Sequence, residues 1–399
     1  MRVRVPLPAP NKINSLFLIV IYYASNCRTS TLPPLRDHFE SMFMVQQPDL
    51  TPKEEIQIND LSWMDKTLGW GTRARPELNG GGLTIDAINV GVYADIPDRI
   101  HYRNRRPRGA WPVDVGNIGG YYLQDKYEQW ADVAGLLYEE TISRRWSTAT
   151  EIPWSSITET PKDLELAICQ VATELCQQAS VESEVISGWL QNLSPGYHEV
   201  KIYLSTAIFD SARMFDGYRK RAMVNGGGML LESPGKLNRL IYESYAGWSE
   251  TVLAQYIMRG SFQKNILRYL SVYGPTEADR ILAWRILSDR TRSIAYAIDH
   301  IRFAISQVPA LRDTLGEWLT RVELVQLDEA RDHVLWEALA VIFGGGVRNI
   351  DTGMSIVNEL KRDWIRDYLQ YLKTAGIDRA NKIPEPMQKL ISENIGTSG

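Results

Sequence analysis

The chain has 399 residues, 44% hydrophobic and 23% charged, with a formal net charge of -4. That is the make-up of an ordinary globular protein, long enough for one large core or two domains. The slightly acidic balance leaves no electrostatic footprint for nucleic acid, and three cysteines exclude a disulfide framework.

Residues 1–41 differ from the rest. Arg2, Arg4 and Lys12 precede an apolar run from Leu16 to Ala24. The run is too short to cross a bilayer and has the basic and apolar regions of a signal peptide. No small-x-small cleavage site follows, and Ala-Ser-Asn-Cys around Cys27 is a poor lipid-attachment box. The opening Met-Arg-Val-Arg-Val-Pro-Leu-Pro-Ala-Pro reads better as the end of a tRNA gene translated into protein, with Met42 or Met44 as the start. Residues 1–41 are therefore expected to be non-native or disordered, and the protein cytoplasmic.

Residues 42–123 read as a loop-rich arm packed on the body, with several prolines and Asn79-Gly80-Gly81-Gly82. Arg99, Arg103, Arg105, Arg106 and Arg108 surround His101, Tyr102 and Trp111. Such a stretch is capable of binding nucleic acid. In an acidic chain the preferred reading is an arm lying on a helical body.

From Gln124 the pattern turns helical. The spacing predicts helices over 124–146, 162–192, 197–223, 236–272, 276–307, 310–343 and 353–374, with a short tail helix after Pro386. Ser194-Pro195-Gly196, Gly274-Pro275 and two glycine triplets read as helix stops. No strand set is predicted. Cys169 and Cys176, seven residues apart, fall on one helix face and read as buried structural thiols. The 12 Trp and 19 Tyr fit large helical cores better than a stacking surface.

Two segments carry the functional argument. Residues 206–220 read Thr-Ala-Ile-Phe-Asp-Ser-Ala-Arg-Met-Phe-Asp-Gly-Tyr-Arg-Lys. Residues 286–300 read Ile-Leu-Ser-Asp-Arg-Thr-Arg-Ser-Ile-Ala-Tyr-Ala-Ile-Asp-His. Both resemble the Asp-Glu-Ala-Arg-His segment of ferritin-like diiron carboxylate oxygenases and oxidases, in which Glu and His at i and i+3 bind iron from one helix face. Here the Glu positions hold Ser211 and Arg290, and the His positions hold Met214 and Ser293.

The resemblance covers about residues 124–375. It implies an all-α fold: a ferritin-like four-helix bundle of two hairpins, 162–223 and 236–307, with extra flanking helices and a C-terminal tail over 376–399. Aligning backward from Tyr197-His198-Glu199 places the first-helix ligand position at Ala179. Met258-Arg259-Gly260-Ser261-Phe262 places the corresponding position of the second hairpin at Arg259. The six ligand positions thus read Ala179, Ser211, Met214, Arg259, Arg290 and Ser293, so no metal cofactor is expected.

Asp210, Arg213, Asp289 and Arg292 keep the family's flanking Asp and Arg. In an intact motif that Asp orients the metal-bound His. With no His to orient, a structural role is expected, with Asp289 and Arg292 paired at i and i+3. Arg259 and Arg290, if inward, need anionic partners, for which Asp210, Asp289, Glu182 and Glu243 are candidates. Glu182 is one turn from Ala179 and is expected at another level of the bundle. The alternative is a bound anion held by the two guanidinium forks.

Residues 328–333, Asp-Glu-Ala-Arg-Asp-His, imitate the motif, but Glu329 and His333 are four apart. They read as ordinary surface charge on the sixth helix. None of His38, His101, His198, His300 and His333 falls where a diiron site needs one. Phosphate loops, Cys-x-x-Cys pairs, His-Glu-x-x-His helices and Gly-x-Ser-x-Gly elbows are absent.

The resemblance implies a degenerate, metal-free member acting as a non-catalytic partner, scaffold or regulatory subunit. Its expected partner is a ligand-complete relative or a second copy of the chain, with neither nucleic acid nor membrane involved. Two alternatives stay open. One is a diiron or mixed-metal oxidoreductase with displaced ligands among Glu139, Glu140, Glu182, Glu243 and Glu250. The other is a carboxylate- or anion-binding protein using Arg259 and Arg290.

Overall fold

The computed structural model describes residues 61–66, 70–78, 81–100, 108, 123–243 and 246–392. The expectations for residues 1–41, for Met42 and Met44, and for Arg103, Arg105, Arg106, His101, Tyr102 and Trp111 lie outside them. The described residues from Lys66 onward belong to one compact unit. A short 3-10 turn is formed by Ser62–Lys66.

The described residues are helical, with two isolated β-bridges and no extended strand. In chain order the helices are α1 (Ile85–Ile88), α2 (Ala134–Ser143), α3 (Lys162–Leu190), α4 (His198–Val224), α5 (Lys236–Glu243) and α6 (Trp248–Val252). A π-helical segment, Leu253–Met258, then leads into α7 (Arg259–Tyr273). Next come α8 (Glu277–Gln307), α9 (Leu311–Glu329), α10 (His333–Gly344), α11 (Ile350–Thr374) and α12 (Glu385–Ser392).

Two antiparallel hairpins make the central bundle, α3 with α4 and the π segment plus α7 with α8. This is the ferritin-like arrangement that the paired motif implies. A third hairpin, α10 with α11, packs on α3 and α7. Its two helices approach closely at Gly353, where a Cβ would lie 1.8 Å from the Ala340 carbonyl oxygen. Arg108 is fastened to α4, where its Nη1 donates to Glu199 Oε2 at 3.1 Å, and its Nε donates to the Tyr93 carbonyl at 2.8 Å.

Three predicted helices are cut differently. The helix expected over 124–146 is confined to α2. Ahead of it Glu128 accepts the backbone N–H groups of Gln124 and Asp125, which closes a separate 3-10 turn. The helix expected over 236–272 breaks between α5 and α6 and changes to π pitch at Leu253. Every residue of that π segment is buried, so no polar stripe marked the change. The helix expected over 310–343 divides at Ala330–Asp332, where Asp332 accepts from Val334 N at 3.1 Å and caps α10.

Thr276 and Asp279 form a reciprocal capping box at the start of α8. Asp279 also receives Arg221 Nε at 2.5 Å, while Arg221 Nη1 and Nη2 reach Glu165 at 2.8 and 3.1 Å. One guanidinium thereby ties α3, α4 and α8 together. Burial opposes ionisation of Glu165, but Arg221, Thr160 and Asn225 outweigh it and bring its pKa down to about 2. Because the folded value lies below the unfolded one, this contribution is present above pH 4.5 and is lost as pH falls toward 2. Urea titrations of Glu165→Gln across that window are expected to show a shallower acid loss of stability than the parent chain. Equal slopes would contradict the assignment.

Candidate functional site

The two motif helices, α4 and α8, face each other at the bundle centre. Arg213 Nη2 donates to Asp210 Oδ1 at 2.5 Å and to Asp289 Oδ2 at 2.7 Å. Arg292 Nη2 donates to Asp289 Oδ1 at 2.6 Å and to Asp210 Oδ2 at 2.8 Å. Each guanidinium bridges both carboxylates, and all four side chains are 3–4% exposed. The spacing of one helical turn between Asp and Arg in each motif copy sets this up, because i and i+3 share a helix face. The indole of Trp146 adds a bond from Nε1 to Asp289 Oδ2 at 3.1 Å. Its ring also lies 4.8 Å from the Arg213 guanidinium, a cation–π distance. Burial, then the nearness of Asp289, raises the Asp210 pKa to about 6 against the pull of Arg292 and Arg213.

Arg290 lies one residue beyond Asp289 and points to α3. Its Nη1 donates to both carboxylate oxygens of Glu182, at 2.5 Å to Oε1, and its Nη2 reaches Ser211 Oγ at 3.4 Å. The pair is 1% and 3% exposed. Burial works against the Arg290 charge, but Glu182 more than offsets it and holds the guanidinium pKa above its ordinary value. Glu182 therefore does not sit at another level of the bundle, as counting back to Ala179 suggested. One turn along α3 is enough to bring a glutamate to the Arg290 head.

Arg259 follows the π segment and takes other partners. Its Nη1 donates to Asn238 Oδ1 at 2.6 Å, and its Nη2 lies 3.4 Å from Glu329 Oε1. Arg259 and Arg290 thus engage different helices, α5 and α9 for one and α3 and α4 for the other. Two expectations are corrected here. Glu243 is no partner of the central arginines, since it pairs with Arg239 on the exposed face of α5. Glu329 is no surface charge: its side chain is 9% exposed and accepts the Leu237 N–H as well as Arg259. The helix break at Ala330–Asp332 sets α9 against α5, which buries Glu329.

The remaining positions that the resemblance implies as ligands hold no donor set for a hard metal. Ala179 and Met214 are wholly buried among apolar side chains, Ser211 Oγ bonds back to the Ala207 carbonyl at 3.0 Å, and Ser293 is buried. Of the displaced candidates, Glu139 accepts the Ile85 N–H and Glu140 pairs with Arg144. Glu250 is held beside Gly247 at the start of α6. Among the described residues no three His, Cys, Asp or Glu side chains gather as a metal site. A dimetal centre needs oxygen and imidazole ligands, and guanidiniums at two of the positions that the resemblance implies as ligands do not fit one.

What the six positions and their flanks supply instead is a closed set of charges. Arg213, Arg290 and Arg292 stand against Asp210, Asp289 and Glu182, three cations against three anions, each cation within salt-bridge distance of an anion. Sequence reading singled out five of these six from the motif copies and listed Glu182 among the candidate partners of the arginines, although it set Glu182 at another level of the bundle. Trp146 was missed because it lies in a loop outside both motif copies.

No family model matches the chain, and no curated protein matches it. It is similar to solved structures of an R2-like ligand-binding oxidase with an aerobically reconstituted Mn/Fe cofactor, at 14% identity, 63% coverage of this chain, 94% of that chain and a TM-score of 0.46. An R2-like ligand-binding oxidase without metal cofactor is similar at 16% identity, 61% and 96% coverage and a TM-score of 0.40.

Proposed function

We propose that this is a ferritin-like protein whose dimetal centre has been replaced by an ion-pair core. It acts without metal chemistry of its own, as a scaffold or regulatory partner. The observation that carries the reading is the pairing of Arg290, at a ligand position, with Glu182 across the bundle. A cation at a metal ligand position repels a metal, and its chelation of a carboxylate removes that carboxylate as a ligand. The Asp–Arg quartet beside it uses side chains that would otherwise orient a ligating histidine to fasten α4 to α8 instead. A partner of the same fold class, or a second copy of this chain, suits a bundle kept for its shape. The anion-binding alternative gains no support from the geometry, because both guanidiniums are engaged by protein carboxylates on separate helices.

A ligand that binds only the folded state raises its melting temperature. Thermal unfolding with Fe(II), with Mn(II) and with a chelator is therefore expected to give one and the same midpoint. A metal-dependent rise of several degrees would contradict the proposal.

A further inference from the structure

Helix α8 carries an outward stripe at positions 277, 281, 284, 288, 291, 295, 298 and 302, in steps of four and three. That spacing keeps a line of side chains on one face along the helix, as in a coiled-coil seam. Glu277, Trp284, Thr291, Ala295 and Arg302 are exposed and Ile281, Ser288 and Ile298 half-buried, whereas most positions between them are buried. Trp284 is 56% exposed on a helix otherwise sealed into the bundle. A large ring with that much surface in water gains by being covered.

The symmetry of the stripe identifies what covers it. Reversed about the midpoint between Asp289 and Arg290, the stripe matches itself. Glu277 then faces Arg302, opposite charges. Ile281 faces Ile298, two apolar side chains. Trp284 faces Ala295, the largest side chain of the stripe against its smallest. Ser288 faces Thr291, two hydroxyls. Each contact is made twice, as at an isologous two-fold interface. A parallel pairing would instead set Trp284 on Trp284 and Glu277 on Glu277. An antiparallel one shifted by a heptad would lose the contact of Glu277 with Arg302. Arg302 pairs with Asp299 in its own helix, yet its side chain stays 59% exposed and within reach of a second helix laid on the stripe.

We infer that two copies of this chain associate antiparallel through α8, with Trp284 of each copy seated over Ala295 of the other. The inference rests on the proposed scaffold role, whose partner it names as a second copy. The two fail separately, because metal content reports on the ion-pair core and oligomeric state on α8.

Sedimentation velocity of the full chain, with site-directed crosslinking, tests the inference. The parent is expected to sediment as a dimer. Trp284→Glu is expected to raise the dissociation constant by roughly 30-fold or more, as for loss of a side chain that dominates an interface, with the far-ultraviolet circular dichroism unchanged. Ile281→Cys and Ile298→Cys, each in a Cys27→Ser background, report the register, since Cys169 and Cys176 are buried. With a short bis-maleimide a mixture of the two variants is expected to link, and neither variant alone. Equal positions lie roughly 25 Å apart along the antiparallel helices, at about 1.5 Å per residue. A monomeric parent, a dimer that Trp284→Glu leaves intact, or linking of Ile281→Cys to itself would overturn the inference. If Trp284→Glu fails to fold, the cysteine pair decides the matter.

Discussion

Arg290→Met is expected to lower the unfolding free energy by about 3–5 kcal/mol, the cost typical of breaking a buried ion pair by removing one partner. The size follows from what is left behind. Glu182 is 3% exposed and receives both of its bonds in the pair from Arg290 Nη1. Without the guanidinium its carboxylate must either stay charged with no partner or take up a proton. The companion change shows what is at stake. In the double variant Arg290→Met with Glu182→Leu no charge is stranded, and apolar replacements of buried ion pairs are often neutral or stabilising. Most of the lost stability is therefore expected to return, as measured by urea denaturation of the two single variants and the double. A double variant as unstable as the sum of the singles would show that Arg290 and Glu182 do not act as a pair.

Asp289→Ala is expected to be at least as damaging, again about 3–5 kcal/mol. Asp289 accepts from Arg213, Arg292 and the indole of Trp146. Its loss leaves two guanidiniums facing Asp210 alone, in a site where Arg292 Nη1 already has no partner. Asp289→Asn keeps an acceptor of the same shape and gives up the charge, so its loss is expected to be smaller. It also removes the carboxylate that raises the Asp210 pKa, so Asp210 is expected to titrate below its present value of about 6. Chemical denaturation gives the stabilities, and carboxyl NMR titration gives the Asp210 shift. A mild Asp289→Ala, below about 1 kcal/mol, would mean that the quartet contributes little beyond a surface ion pair.

Much of this site was legible before any coordinates. The periodic helices 162–192, 197–223 and 276–307 bracket α3, α4 and α8 closely, because each has an amphipathic repeat and a definite stop such as Ser194-Pro195-Gly196. The resemblance carried by the motif copies implied facing helices, and the copies named Asp210, Arg213, Asp289, Arg290 and Arg292 within them. What escaped has physical causes. Glu182 was set at the wrong level because helix α3 carries no short motif, and a count from Tyr197 decided its register. The π segment escaped because residues from Leu253 to Met258 are buried on every side, leaving no polar face whose drift would betray a change of pitch. Glu329 passed for a surface charge because one helix over 310–343 was assumed, whereas the cap at Asp332 ends it early and turns Glu329 inward. Trp146 enters from a loop, where periodicity says nothing of direction.

The proposed replacement of a dimetal centre by guanidinium–carboxylate pairs is open to experiment. Its most direct test is the metal content of the purified protein after anaerobic incubation with Fe(II) and Mn(II) and removal of free ions. The ion-pair core predicts metal at background, in the parent chain and in Glu182→Gln alike. Close to two tightly bound equivalents per chain would contradict it, and would mean that carboxylates now paired with arginine turn to hold metal.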